Sequence, residues 1–198
     1  TTMTATNLRG ITAMTKPILV GVTGYATSGK DTFAQGFIDH LVFVKIAFAV
    51  PLRRDIAVLT PIVSVEGWMG EYTIRASDCF ENYNESKERY PEFRRLLQVY
   101  GTEVHRSLDD NYWIDRAMVE VGDAPGYVFT DMRFPNERNE VPYDFTVRVE
   151  REGVGPLNDH ASEAFIGKME VDMVVANDGT ASDLARSALS LVSARMAV

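Results

Sequence analysis

The 198-residue sequence holds one cysteine, Cys79, which excludes an intramolecular disulfide and a cysteine-rich zinc site. Its three histidines, His40, His105 and His160, are too scattered for a metal-ligand spacing. No apolar run approaches the roughly 20 residues that a membrane span needs. The first residues lack the basic-then-apolar order of a secretory signal, so a cytoplasmic protein is expected. Positive charge is scarce as well. Against 28 acidic residues stand 20 basic ones, a net charge of −8, which argues against a protein that coats nucleic acid. The basic residues are lopsided, 15 Arg to 5 Lys. Arginine's planar fork suits phosphate, although codon bias in a GC-rich genome produces the same count. What is plentiful is ordinary core material: 45% hydrophobic residues in a chain about the size of one α/β domain.

Residues 1–15 are Thr-rich without periodicity and read as a mobile leader, with Met14 as an alternative start. Pro17–Thr23 is a short apolar run ending near glycine, the pattern of a buried parallel strand. A helix follows, with Phe33, Ala34, Phe37, Ile38 and Leu41 on one face. Residues 42–48, Tyr127–Asp131, Phe145–Val149 and Val171–Ala176 predict four more strands. The last helix opens at Thr180, with Asp183 at capping-box spacing and Leu184, Ala188, Leu191 and Val192 in helical period. Strands alternating with helices predict an α/β fold with a five-stranded, mostly parallel sheet flanked by helices. Residues 51–125 are far longer than one crossover needs and predict a helical insertion within a single domain spanning 16–198. A smaller excursion at 150–167, with Arg151, Gly153, Gly155 and Pro156, predicts a lid.

Gly24-Tyr-Ala26-Thr27-Ser28-Gly29-Lys30 fits the phosphate-loop pattern G-x-x-x-x-G-K between a strand and a helix. Glycines let successive backbone N–H groups turn toward an anion, and the helix N-terminus adds partial positive charge. Lys30 can then reach the β- and γ-phosphates of ATP as a point charge. Asp31 stands where the usual motif has Ser or Thr on magnesium, and Thr32 supplies a hydroxyl one place later. Asp31 can hold Mg²⁺ through water, yet a carboxylate there also repels phosphates.

Further along lie Leu96–Arg106 (LLQVYGTEVHR), Thr130–Glu137 (TDMRFPNE) and Asp159–Glu163 (DHASE), followed by Asn177-Asp-Gly179-Thr. Together with the loop, these ordered motifs resemble the bacteriophage deoxynucleoside monophosphate kinases, over roughly residues 16–190. The resemblance implies a P-loop kinase that moves the γ-phosphoryl of ATP to a deoxynucleoside 5′-monophosphate, with Mg²⁺. It further implies a monophosphate-binding role for the 51–125 insertion, DNA-precursor supply in an infected host cytoplasm, and scope for a homodimer. Arg133 resembles a ligand of the acceptor phosphate and Asn177 an adenine contact, beside Gly179. Segment 59–90 resembles nothing in particular.

The residues argue in parallel. Arg95, Gln98, Thr102 and Arg106 recur at i, i+3, i+7 and i+11, one face of a continuous helix beside an apolar stripe of Phe93, Leu96, Leu97, Tyr100 and Val104. Two guanidiniums, an amide and a hydroxyl suit a nucleotide; a solvated helix face looks the same. Arg53 and Arg54 point to the same insertion, one of them as a surface charge. Asp131 ends the third strand, where open parallel sheets bind ligands, and can orient metal-bound water; its bland alternative is a helix cap. Asn136 and Glu137 read as a surface turn. Arg151 can swing onto the transferring phosphate. Two rivals remain: a kinase for another phosphorylated acceptor, such as dephospho-coenzyme A or phosphomevalonate, and a non-catalytic nucleotide-binding regulator. A GTPase is disfavoured, since no D-x-x-G follows the third strand and no N-K-x-D occurs.

Overall fold

The computed structural model describes residues 16–157 and 159–196, so the expected leader lies outside it. In chain order the elements are β1 (Ile18–Thr23), α1 (Lys30–Leu41), β2 (Val44–Ile46), α2 (Ala49–Leu59), β3 (Ile62–Gly67) and β4 (Gly70–Arg75). Next come α3 (Tyr83–Arg89), α4 (Pro91–Gln98), α5 (Tyr112–Met118), β5 (Gly126–Phe129) and α6 (Pro135–Glu140). The chain closes with β6 (Phe145–Glu150), α7 (Ala161–Ala164), β7 (Met173–Ala176) and α8 (Ala181–Met196). It divides into two compact units: one takes the described residues up to Ala47 and from Val119 onward, the other Phe48–Met118.

The first unit is built on a five-stranded sheet in the order β2-β5-β1-β6-β7, every neighbouring pair parallel. Parallel strands need crossovers on the faces, which bury both sides of the central strand. All six residues of β1 are buried, and Val20, Val22, Val128 and Val147 form the core with Phe33, Phe37 and Phe145. The stripe read on α1 packs there, as do Leu184, Ala188 and Val192 of α8. Gly36 lets α1 and α8 approach closely: a Cβ on it would lie 2.1 Å from the Ala185 carbonyl oxygen. The Thr180–Asp183 capping box forms as its spacing predicts. The Asp183 N–H donates to Thr180 Oγ1 at 3.2 Å and the Thr180 N–H to Asp183 Oδ2 at 3.2 Å. Tyr143 packs edge-on to Phe129, with ring centroids 5.5 Å apart, and its hydroxyl is buried with no hydrogen-bond partner among the described residues.

Because the strands run in parallel, their carboxyl ends share one edge, and loop contacts stitch that edge together. Thr23 Oγ1 donates to the Met132 carbonyl at 2.6 Å, and the Thr130 N–H to the Ile46 carbonyl at 3.1 Å. Two strand readings need correction here. The second strand is only Val44–Ile46, an edge strand whose first two residues are exposed. The third stops at Phe129, so Asp131 lies in the loop beyond it rather than at its end.

The second unit corrects the insertion. It is not wholly helical, since β3 and β4 form an antiparallel hairpin paired from Ile62↔Arg75 to Gly67↔Gly70. Its core gathers Ile56, Val63, Ala76, Cys79, Phe93 and Leu97. The single long helix expected over 93–107 also breaks. The α-helix ends at Gln98 and continues as a π-helical segment, Val99–Val104. Its i→i+5 bonds change the angular step per residue. Val104 is exposed rather than part of the apolar stripe. Gly101 has a packing reason: Leu52 lies 3.1 Å from where its Cβ would be, and its carbonyl accepts Trp113 Nε1–H at 2.7 Å.

Candidate functional site

The loop between β1 and α1 has the backbone an anion cradle needs. Gly24, Thr27 and Gly29 all have positive φ, at 150°, 65° and 97°. Thr27 takes a conformation that costs a non-glycine residue energy, a kind of strain that gathers at ligand sites. At Gly24 a Cβ would lie 2.6 Å from Ser28 Oγ and 2.7 Å from the Val149 carbonyl oxygen, so only glycine fits. Ser28 is 1% exposed, and its Oγ has no partner among the described residues. An orphaned buried hydroxyl costs about 1–3 kcal/mol, and a ligand oxygen would satisfy it. No side chain caps α1 at Gly29, which leaves the first-turn N–H groups for a ligand. The loop thus fits a nucleotide's phosphates.

Asn177, just past β7, locks the loop from the side. Its Nδ2 donates to the Ser28 carbonyl at 2.9 Å, while its own N–H donates to the Glu150 carbonyl at 2.7 Å. A Cβ on Gly29 would lie 2.4 Å from that Nδ2. Gly179, by contrast, is exposed, and a Cβ on it would meet the Asp183 side chain only at an ordinary contact distance of 3.4 Å. Ala26 and Thr32 are half-buried, on the loop and in the first turn of α1.

Lys30 is mostly buried, its side chain 13% exposed, and Nζ lies 3.4 Å from Asp31 Oδ2. Lys45 reaches the other carboxylate oxygen from β2, with Nζ 2.7 Å from Oδ1. Burial alone would push the Asp31 carboxyl up. The Lys45 hydrogen bond and the charges of Lys30 and Lys45 outweigh it and hold the carboxyl below the usual aspartate range. Asp31 is thus a firmly ionised oxygen donor. Magnesium in phosphate sites is commonly held by one or two carboxylates together with substrate phosphates, and that donor chemistry is present. Among the described residues no cluster of three or more metal-ligating side chains occurs.

The other sequence candidates fall in both units. Asp131, half-buried, Arg133 and Arg151 lie beyond the carboxyl ends of β5 and β6. The bland alternative for Asp131, a helix cap, does not hold, because α6 begins at Pro135 with Phe134 as its cap. Arg133 Nη1 bonds Glu163 Oε1, and Glu163 is buried. Glu137 is 2% exposed rather than on a surface turn; its Oε2 accepts the N–H groups of Arg133 at 2.7 Å and Phe134 at 3.1 Å, which fixes the backbone carrying Arg133. Arg151 is exposed in a turn closed by the Val154 N–H on its carbonyl at 3.1 Å. The 150–167 stretch ends against the loop: a Cβ on Gly167 would lie 2.7 Å from the Tyr25 hydroxyl. His160 caps α7, its Nδ1 accepting the Ser162 N–H at 3.2 Å.

Arg53, Arg54, Arg95, Gln98, Thr102 and Arg106 belong to the second unit. Arg53 stacks 4.1 Å over the Tyr83 ring, and its Nε is buried without a partner among the described residues. Arg54 is exposed, as expected for one of the pair. Arg95 is exposed and bonds Glu92 at 2.8 Å, while Arg106 Nη1 donates to the Asp110 carbonyl at 3.2 Å. Gln98 and Thr102 are half-buried, on α4 and on the π-helical segment. Sequence reading missed Lys45 and Glu163 as partners of the site. A lysine in a strand otherwise made of Val and Ile was the one signal for the first.

The deciding comparison is with a family model described as deoxynucleotide monophosphate kinase, which matches residues 68–187. The chain belongs to this kinase family. The match begins after the phosphate loop, so loop geometry and family membership are independent findings, and together they describe a nucleotide-binding P-loop phosphotransferase. A curated protein of Acanthamoeba polyphaga mimivirus, provisionally named a deoxynucleotide monophosphate kinase, is 24% identical over 88% of this chain and 96% of its own. Among solved structures, the protein TT1252 of Thermus thermophilus is 15% identical at a TM-score of 0.45, covering 89% of this chain and 97% of its own. Shikimate kinase of Aquifex aeolicus is 13% identical at 0.45, over 90% and 98%. No described helix of this kinase-family chain is long and apolar enough to cross a membrane.

Proposed function

We propose that the protein transfers the γ-phosphoryl group of ATP to a deoxynucleoside 5′-monophosphate. An acceptor phosphate oxygen attacks Pγ, the bond from Pγ to the β,γ-bridging oxygen breaks, and ADP leaves with the deoxynucleoside diphosphate. The acceptor oxygen is already ionised, so no general base is needed. The protein's part is positioning and charge neutralisation. The observation that carries this reading is the phosphate cradle with its orphaned Ser28 hydroxyl, in a chain of a monophosphate kinase family.

In this reading Lys30 and the α1 N-terminus hold the donor phosphates, and Arg133 and Arg151 meet charge at the transferring group. Asp31 and Asp131 would hold Mg²⁺ through water, and the ion would supply neutralisation of phosphate charge. Arg53, Arg54, Arg95, Gln98, Thr102 and Arg106 belong to the acceptor side; their place in one compact unit, apart from the unit that carries the phosphate loop, supports that division. The 150–167 stretch acts as the lid that excludes water from the transfer, which otherwise ends as ATP hydrolysis. The biological setting consistent with a viral relative is DNA-precursor supply in an infected host cytoplasm.

A panel of ribo- and deoxyribonucleoside monophosphates, with dephospho-coenzyme A and phosphomevalonate beside them, tests the reading with Mg-ATP and ADP release as readout. Turnover confined to deoxynucleotides is expected. ATP binding without turnover of any acceptor would leave a nucleotide-binding regulator instead.

A further inference from the structure

We propose that Lys45 is a second phosphate-binding ammonium of the nucleotide loop, and that Asp31 is the residue that holds it there. The inference rests on the reading of residues 24–32 as a phosphate site and adds a residue that no motif marks.

The starting point is the electrostatic problem set by Asp31. It sits in the first turn of α1, where the backbone already favours an anion and a triphosphate is to bind. A bare carboxylate there would oppose the ligand. Its two oxygens are instead shared between two ammoniums, Lys30 at 3.4 Å and Lys45 at 2.7 Å. The three side chains together carry a charge of +1, so the loop stays attractive to an anion. Held apart from Asp31, two ammoniums aimed at one small loop would repel each other; the carboxylate offsets that cost.

Lys45 is otherwise poorly placed for a structural part. It lies on a three-residue edge strand with 43% of its side chain exposed, and an exposed Lys–Asp pair contributes little to stability. Its position one residue before the carboxyl end of β2 puts it near the sheet edge where the β1–α1 loop opens. An independent sign that this loop takes a ligand is Ser28, whose buried Oγ, beside Gly24, lacks a partner among the described residues.

The test is ATP affinity measured calorimetrically in EDTA at low salt, so that neither turnover nor metal enters the readout. Lys45→Met should weaken ATP binding about 10-fold, the scale of one lost charge contact. Adenosine affinity should be unchanged, and so should the melting temperature, within about 2 °C. Lys45→Arg should stay within about 3-fold of wild type. In an Asp31→Asn background the Lys45→Met step should shrink below about 2-fold, since nothing then holds the ammonium at the loop. Wild-type ATP affinity in Lys45→Met would overturn the proposal, whether or not its melting temperature fell. Lys30→Met separates the two levels. If it loses affinity while Lys45→Met does not, the loop reading stands and Lys45 is only a surface pair. If the wild-type protein binds no ATP, the loop reading falls and the proposal falls with it.

Discussion

Arg133 and Glu163 join two sequence motifs that lie thirty residues apart, one from the loop after β5 and one from the helix before β7. Glu163 is almost fully enclosed, with 6% of its side chain exposed, while Arg133 keeps 30%. The carboxylate accepts from Nη1, one of the three nitrogens that carry a guanidinium's five donor hydrogens. The pair gives the DHASE motif a physical role, because it fixes the arginine that the acceptor phosphate is proposed to meet. Arg133→Lys should lower kcat/KM for the monophosphate about 10-fold, about 1.4 kcal/mol of transition-state stabilisation, because an ammonium cannot reproduce the fork. Glu163→Gln should cost about 2–3 kcal/mol, less than a fully buried pair because Arg133 is partly exposed, and lower the melting temperature by about 5–10 °C. Unchanged monophosphate kinetics in Arg133→Lys, with only reduced thermal stability, would make the pair scaffold alone.

Lys30→Ala should reduce kcat by at least about 10²-fold, the scale of one preorganised charge contact removed from the reacting phosphates. Circular dichroism and the melting temperature should barely change. A near-normal rate would end the phosphate-loop assignment.

Asn177 separates two roles by donor choice. As an adenine contact, its loss should weaken ATP more than GTP. The hydrogen bond that Asn177 Nδ2 donates to the Ser28 carbonyl points instead to a clamp on the loop. Asn177→Ala should therefore raise KM for ATP and GTP by similar factors, about 5- to 10-fold, the scale of one buried hydrogen bond. A loss confined to ATP would restore the base-contact role.

Tyr143 carries a buried hydroxyl without a partner among the described residues, and burial, with the charges of Glu137 and Asp131, pushes its ionisation well above the usual tyrosine range. Tyr143→Phe should be neutral or stabilising by up to about 1 kcal/mol at neutral pH. The alkaline limb follows from the sign. The unfolded chain releases this proton near pH 10 and the folded chain only at higher pH, so folding loses stability as pH rises past about 10. The wild-type melting temperature should fall faster than that of Tyr143→Phe between pH 9 and 11. Parallel curves would mean that the hydroxyl finds water.

Much of the first unit is legible in the sequence because buried parallel strands are short, apolar and bounded by glycine, and because α1 and α8 keep period and caps. The pattern misplaces Asp131 by two residues, since Thr130 extends the apolar run while its N–H bonds the Ile46 carbonyl at the sheet's rim. The β3–β4 hairpin stays hidden for an opposite reason. Five of six β4 residues are exposed, so alternation gives almost no signal, and Trp68-Met69 at the tip looks like core. The π-helical segment leaves no periodic trace at all. Packing selects it, through the Gly101 carbonyl on Trp113 and the close approach of Leu52. Asp31, in the first turn of α1, reads in sequence as a metal question because its strongest partner, Lys45, comes from a different element, β2.

The position of β1 in the middle of its sheet governs the order in which the molecule can be made. Its ladder partners are β5, from Ile18↔Gly126, and β6, from Val20↔Phe145. During synthesis the strand that carries the phosphate loop must wait, without a neighbour, while the chain from Phe48 to Met118 emerges with a core contiguous in sequence. The clamp on the loop arrives later still, with Asn177. A ribosome-stalled chain ending before β7 should therefore display the second unit's buried aromatics while still failing to retain ATP.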